Sequence, residues 1–222
     1  MVASAHVGFL SVLAAAAVGC LSLTACSATP QAGVPSTGSP SASASPPASS
    51  SPPASASPTA SASPTPIPAS SKGPAQNWPV PKMPADAKKK DAAGVKAFAE
   101  YYFELLQYTI QTSNPAPLKT VTSEHCALCA SGFIDPAARN KKSGGWASGG
   151  AYDAEITLAT VADGGNGTAV FSYMQSEMVI YNSGGSLNGR LPATESPVIG
   201  SLAIEYAGGW QVTHIDIDST SS

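Results

Sequence analysis

Residues 91–111 read D-A-A-G-V-K-A-F-A-E-Y-Y-F-E-L-L-Q-Y-T-I-Q, and what this stretch becomes sets the architecture of everything after it. Val95, Phe98, Tyr102, Leu105 and Leu106 recur at helical spacing, which places them on one stripe of an amphipathic helix. Asp91 or Asp86 is positioned to cap its start, because a carboxylate there accepts from backbone N–H groups that the first turn leaves unpaired. Asn114-Pro115 ends it, since proline removes a donor and disfavours helix in the residue before it. Lys88 to Lys90, just ahead, reads as a solvated charge run rather than a binding patch.

Downstream, a short helical turn is expected over 115–121, then a helix from Ser123 that carries S-E-H-C-A-L-C-A-S-G, residues 123–132. Gly144-Gly145-Trp146 and Gly149-Gly150 break the pattern. G-G-W-A-S-G-G is not a phosphate loop, because no strand precedes it and no lysine-serine/threonine pair follows. It reads as a flexible connection with Trp146 as a packing anchor. From residue 152 the texture alternates as strands do: 152–161, a turn at 163–167, then 168–181, a long polar loop at 182–196, then 197–206 and 210–217. Helices followed by a four-stranded antiparallel meander define an α+β plan with the helices covering one face of the sheet.

The last strand, W-Q-V-T-H-I-D-I (210–217), contains a conflict. Strict alternation puts Trp210 and Val212 on the face opposite Ile215 and Ile217, yet all four are core residues. A bulge between the two pairs resolves it and leaves His214 near the edge. His214 and Asp216 facing a cavity would form an acid–base pair, joined by Asp153, Glu155, Glu177 and tyrosines 101, 102, 152 and 173. The alternative, that these carboxylates sit on the outer solvated face, is favoured because each alternates with an apolar neighbour. Asn166-Gly167-Thr168 matches a glycosylation acceptor but reads as a turn.

Cys126 and Cys129 lie within disulfide reach at i, i+3 of a helical turn. Three readings are open: a structural staple, a redox-active dithiol and half a metal site. The staple is favoured. A catalytic dithiol needs a thioredoxin-like strand–helix context, and a zinc site needs four ligands, for which His125 and the distant His214 are a poor substitute. No metal or cofactor is expected.

Upstream of Lys72 the chain has no Asp, Glu, Lys or Arg and only one aromatic residue, Phe9. The 11 basic and 14 acidic side chains that follow are nearly balanced and mixed in order, so nothing supports nucleic-acid binding. Residues 27–71 are almost entirely Ser, Ala, Pro, Thr and Gly. With nothing large and apolar to bury, such a segment is expected to stay disordered, reaching about 140 Å at full polyproline stretch. Residues 7–23 form an uncharged apolar run of the kind found in export signals. It closes on L-T-A-C, Leu23 to Cys26, which resembles the bacterial lipobox. That resemblance implies cleavage before Cys26 and lipidation of it, and two or more acyl chains hold a protein stably at a membrane. A-V-G-C, ending at Cys20, is a weaker match.

The order of long helix, short helices and strands ending in G-G-W-Q-V-T-H-I-D-I resembles the nuclear transport factor 2-like fold, a cone in which a curved sheet wraps the first helix. F-A-E-Y-Y-F-E-L-L-Q-Y, C-A-L-C and G-G-W-x-S-G-G together resemble an actinobacterial lipoprotein family of unknown function, over about residues 78–218. The resemblance implies a signal peptide at 1–25, a linker at 26–75 and an α+β domain at 76–219. Because that fold hosts both isomerases or dehydratases and non-catalytic binding modules, it licenses no particular activity. The expected function is a membrane-anchored envelope lipoprotein with a non-catalytic binding or interaction domain. The alternative is a small-molecule isomerase or dehydratase using His214 and Asp216. Tyr102, Trp146, Tyr173 and His214 are the candidate pocket residues. Expected partners are the membrane through the lipid, an envelope protein or small-molecule ligand, and a second copy of the chain. A cavity holding a desolvated His or Asp would favour the enzyme, and one filled by its own aromatics the binding module.

Overall fold

A computed structural model describes residues 64–218. The expectations for the signal run, Cys20, the lipidated Cys26 and the spacer up to residue 63 lie outside the described residues. Helix α1 runs Ala92–Thr112, and Asp91 caps it, its Oδ1 accepting from the Gly94 N–H at 2.7 Å. The stripe read from the sequence is buried: Val95, Phe98, Tyr102 and Leu105 are fully enclosed and Leu106 nearly so. Tyr101, Phe103, Tyr108 and Gln111 are buried as well, so α1 is enclosed on more than one side, as a helix apolar around most of its circumference must be. Ser113 takes a left-handed conformation (φ 52°) and stops it before Pro115.

The short helix α2 (Ala116–Lys119) leads to Cys126, from which α3 (Ala127–Cys129), a π-helical segment (Ala130–Ile134) and α4 (Asp135–Ser143) follow without a break. Seven strands come next: β1 (Trp146–Gly149), β2 (Tyr152–Ala162), β3 (Asn166–Gln175), β4 (Met178–Tyr181), β5 (Leu187–Leu191), β6 (Val198–Tyr206) and β7 (Trp210–Ile217). They form two antiparallel sheets, one of four strands in the order β2-β3-β6-β7 and one of three in the order β1-β4-β5. The four-stranded sheet packs its inner face, including Ile156, Phe171, Leu202, Ile204 and Val212, against α1.

The three-stranded sheet corrects the sequence reading at three places. The glycine-flanked Trp146 segment is strand β1, paired Trp146↔Tyr181 through Gly149↔Met178. The expected strand 168–181 is two strands in different sheets, separated at Ser176-Glu177, where the Ser176 N–H turns to the Ala151 carbonyl at 2.9 Å. The expected loop 182–196 contains β5, which pairs with β4. A second sheet gives the chain a way to leave the first without exposing paired backbone groups.

The conflict in the last strand resolves as expected. Ala203 pairs with His214 and Ile204 with Val212, so Thr213 is the bulged residue. Trp210, Val212 and Ile215 are then all buried. Residues 64–75, whose composition is that of the linker, are in part folded. Ile67 and Gln76 exchange backbone hydrogen bonds at 2.9 Å, Ala69 is buried, and the Ser70 carbonyl accepts from the Trp146 indole at 2.8 Å. A buried indole N–H needs such an acceptor, and small residues let this backbone lie close enough to supply it.

Candidate functional site

The space beneath the four-stranded sheet is occupied by the protein's own rings. Phe103 of α1 meets Phe171 edge-on at 5.1 Å between centroids and Tyr152 at 5.9 Å, and Tyr152 meets Tyr173 at 5.1 Å. Such edge-to-face contacts set the positive ring edge against the negative face of its neighbour. Among them a gap of only about 20 Å³ remains, too little to admit a substrate.

A larger cavity, about 180 Å³, adjoins this gap, sharing Leu106, Phe133 and Tyr152 with it and extending toward α4 and the three-stranded sheet. Leu106, Thr109 and Ile110 form one wall, Phe133 and Ala137 a second, and Met178 and Ile180 a third. Leu191, 43% exposed on β5, lies at the rim. Tyr152 and Gln175 supply the polar groups nearest the ring cluster. No acidic or basic side chain lines the cavity. Thr109 is 2% exposed, and its hydroxyl is the one buried side-chain polar atom without a hydrogen-bond partner among the described residues.

The residues chosen from the sequence do not converge here. Tyr102 is fully buried in the core with its hydroxyl 3.3 Å from that of Thr122. Trp146 is held by Ser70 and stacks on Tyr181 at 5.3 Å. Tyr173 belongs to the ring cluster. His214 and Asp216 are exposed on the edge strand β7, so the alternative of a cavity-facing acid–base pair is not formed and the favoured outward placement holds for both. The bulge that buries Ile215 turns them outward. Asp153 and Glu155 are exposed on β2, and Glu177 pairs with Arg190. Thr109 and the aliphatic walls were missed. Thr109 sits three residues beyond Leu106 and seven beyond Tyr102, so a polar residue on the apolar stripe was the available signal.

Cys126 and Cys129 form a disulfide with a Cα–Cα distance of 5.2 Å, and both are buried. Cys126 caps α3, its sulfur accepting from the Cys129 N–H. The preceding residues are tied to β7, with the Ser123 N–H donating to the Val212 carbonyl and the Val212 N–H to that of Val121, both at 2.9 Å. The bridge therefore fixes the helix start against the sheet edge.

Two buried phenols make a prediction about pH. Burial pushes the Tyr102 hydroxyl up to about 12, opposed by its bond to Thr122. Burial and then the neighbouring Tyr173 raise Tyr152 further, against a weaker effect from Gln175. The unfolded chain releases these protons near pH 10, so above that the folded state holds more protons and loses stability as pH rises. The expected loss is about 1.4 kcal/mol per pH unit for each phenol, levelling near 12 for Tyr102. Stabilities from urea unfolding should hold up to about pH 10 and fall on this slope from there to about pH 11.5, and Tyr102→Phe should remove its share.

The Family of unknown function (DUF6318) matches over residues 64–216. No curated protein matches the chain in sequence. Among solved structures, the intermembrane space region of the chloroplast protein ARC6 is similar at 11% identity and a TM-score of 0.41, covering 57% of this chain and 95% of that one. A periplasmic fragment of TraM is similar at 15% identity and a TM-score of 0.29, covering 60% of this chain and 87% of that one. Among the described residues no helix is long and apolar enough to cross a membrane.

Proposed function

The chain belongs to the DUF6318 family, and we propose that it is a non-catalytic binding module of the cell envelope, held at the outer face of the cytoplasmic membrane by a lipid on Cys26. The observation that carries the reading is the filled space under the four-stranded sheet. Phe103, Tyr152, Phe171 and Tyr173 occupy it and leave about 20 Å³. A catalytic site there would need a desolvated acid or base over an open pocket. His214 and Asp216 instead face solvent. The long α1 against a four-stranded antiparallel sheet supports a nuclear transport factor 2-like cone, to which the three-stranded sheet is an addition. L-T-A-C at the end of the apolar run supports an exported lipoprotein of the actinobacterial type. The Ser/Ala/Pro-rich residues after Cys26 separate the anchor from the domain.

Two measurements test this. Cys26→Ala should move the chain from the membrane fraction to the soluble envelope fraction; its retention on the membrane would sink the tether. Crosslinking of the full chain in intact cells should give discrete adducts with envelope proteins, unchanged in a His214→Ala/Asp216→Ala variant. The absence of any discrete adduct with an envelope protein would refute the interaction reading.

A further inference from the structure

We propose that the cavity between α1, α4 and the three-stranded sheet binds a small uncharged molecule, about one six-membered ring in size, that carries a hydroxyl or carbonyl group. This rests on reading the domain as a binding module. The size follows from the volume: an apolar cavity of about 150 Å³ accommodates benzene, and this one is about 180 Å³. The charge follows from the walls: they are mostly apolar, their polar groups (Thr109, Ser113, Asn140, Tyr152 and Gln175) are all neutral, and no acidic or basic side chain is among them. An ion entering them would lose its hydration with no opposite charge to offset the loss.

The polar group on the ligand follows from Thr109. A threonine inside a helix ordinarily donates its hydroxyl to the carbonyl four residues back, as Thr112 does to Tyr108 at 2.7 Å. Thr109 does not, and its hydroxyl has no partner. Buried polar groups are nearly always satisfied, so an unpartnered hydroxyl on a residue that lines the cavity has a bond to gain if it turns toward the open space. Thr109 has two accessible rotamers in a helix, and rotation about χ1 exchanges its methyl and hydroxyl. A ligand carrying an acceptor can therefore be met by a donor that has nothing to lose. The opposite wall includes Gly132 and Phe133 from the π-helical segment Ala130–Ile134. Such segments often occur where a helix is reshaped for a site, and here the widened turn sets the Phe133 ring against the cavity.

The test uses the full chain with p-cresol and toluene, one ring with and without a hydroxyl, followed by titration calorimetry and by the Thr109 methyl signal. We expect p-cresol to bind with a Kd on the order of 0.1–1 mM. Thr109→Val keeps the shape and removes the hydroxyl, so it should weaken p-cresol about five- to tenfold and leave toluene unchanged. Ala137→Leu, which fills the cavity, should abolish both. Because Thr109→Val removes an unsatisfied group, it should fold at least as well as the parent chain. Equal p-cresol affinity in parent and Thr109→Val overturns the assignment, as does binding that survives Ala137→Leu. If neither probe binds while the envelope crosslinks persist, the cavity site falls and the binding-module reading remains. If p-cresol binds as described but its mass changes with time, the site stands and the non-catalytic reading falls.

Discussion

Phe103→Ala should lower stability by about 3–5 kcal/mol and the melting temperature by about 10 °C. Phe103 is buried on α1 and meets Tyr152, Phe171 and Tyr173, with centroid distances of 5.9, 5.1 and 6.3 Å. Removing it takes away apolar burial and leaves a void bounded by three rings on two strands and by α1. The surrounding groups cannot collapse into that void together, because Phe171 and Tyr173 are fixed by the β3–β6 register. Thermal denaturation followed by circular dichroism measures the loss. A cost below about 1 kcal/mol would mean that the rings do not pack as a unit and do not fill the sheet's inner face.

The second large effect is expected at Gly149. Its φ is 74°, and a Cβ there would lie 2.1 Å from the Glu177 carbonyl oxygen. That oxygen already accepts from the Gly150 N–H at 2.9 Å, so it cannot retreat without breaking the corner that joins β1 to β4. Gly149→Ala thus combines a left-handed penalty of about 1–2 kcal/mol with a backbone clash, and a total of about 3 kcal/mol or more is expected. Gly208 is the control: its φ is 80°, but a Cβ there meets nothing within 4 Å. Gly208→Ala should cost only about 1 kcal/mol. Because Gly149 pairs with Met178, which lines the cavity, the Gly149 variant should also weaken p-cresol binding while Gly208→Ala leaves it intact. Equal costs at the two glycines would show that β1 is the flexible connection the sequence suggested.

The contrast between these two residues shows what the sequence carries. Helix α1 was legible because 21 residues of periodic burial, a capping aspartate and a following proline agree. The strands of the larger sheet were legible from alternation, and the bulge at Thr213 followed from four core residues that alternation alone cannot bury together. Strand β1 was not legible, because its four residues are flanked by glycines that mark a tight corner as readily as a loop. The switch from β3 to β4 carries no glycine or proline at Ser176-Glu177, so an apolar run continues across a change of sheet. The docked residues near Ile67 share the composition of the spacer; what folds them is an acceptor for the Trp146 indole, a requirement set by a residue far along the chain.

The site was hidden for a related reason. Aromatics and His214 attract attention in a sequence, yet the cavity is walled mostly by aliphatics from five elements that only tertiary packing brings together. Thr109 was the one residue whose position on an apolar stripe announced it. The cysteine pair, by contrast, was read from its spacing, and the structure joins it as a disulfide at the start of α3.

Binding and catalysis separate most directly in a turnover measurement on the purified full chain. Incubated with a small-molecule extract of the cell envelope and followed by mass spectrometry over time, the protein should retain one or a few uncharged compounds and consume none. Retention should fall in Ala137→Leu and be unaffected in His214→Ala/Asp216→Ala. Time-dependent conversion of any compound, lost when His214 and Asp216 are replaced, would contradict the account.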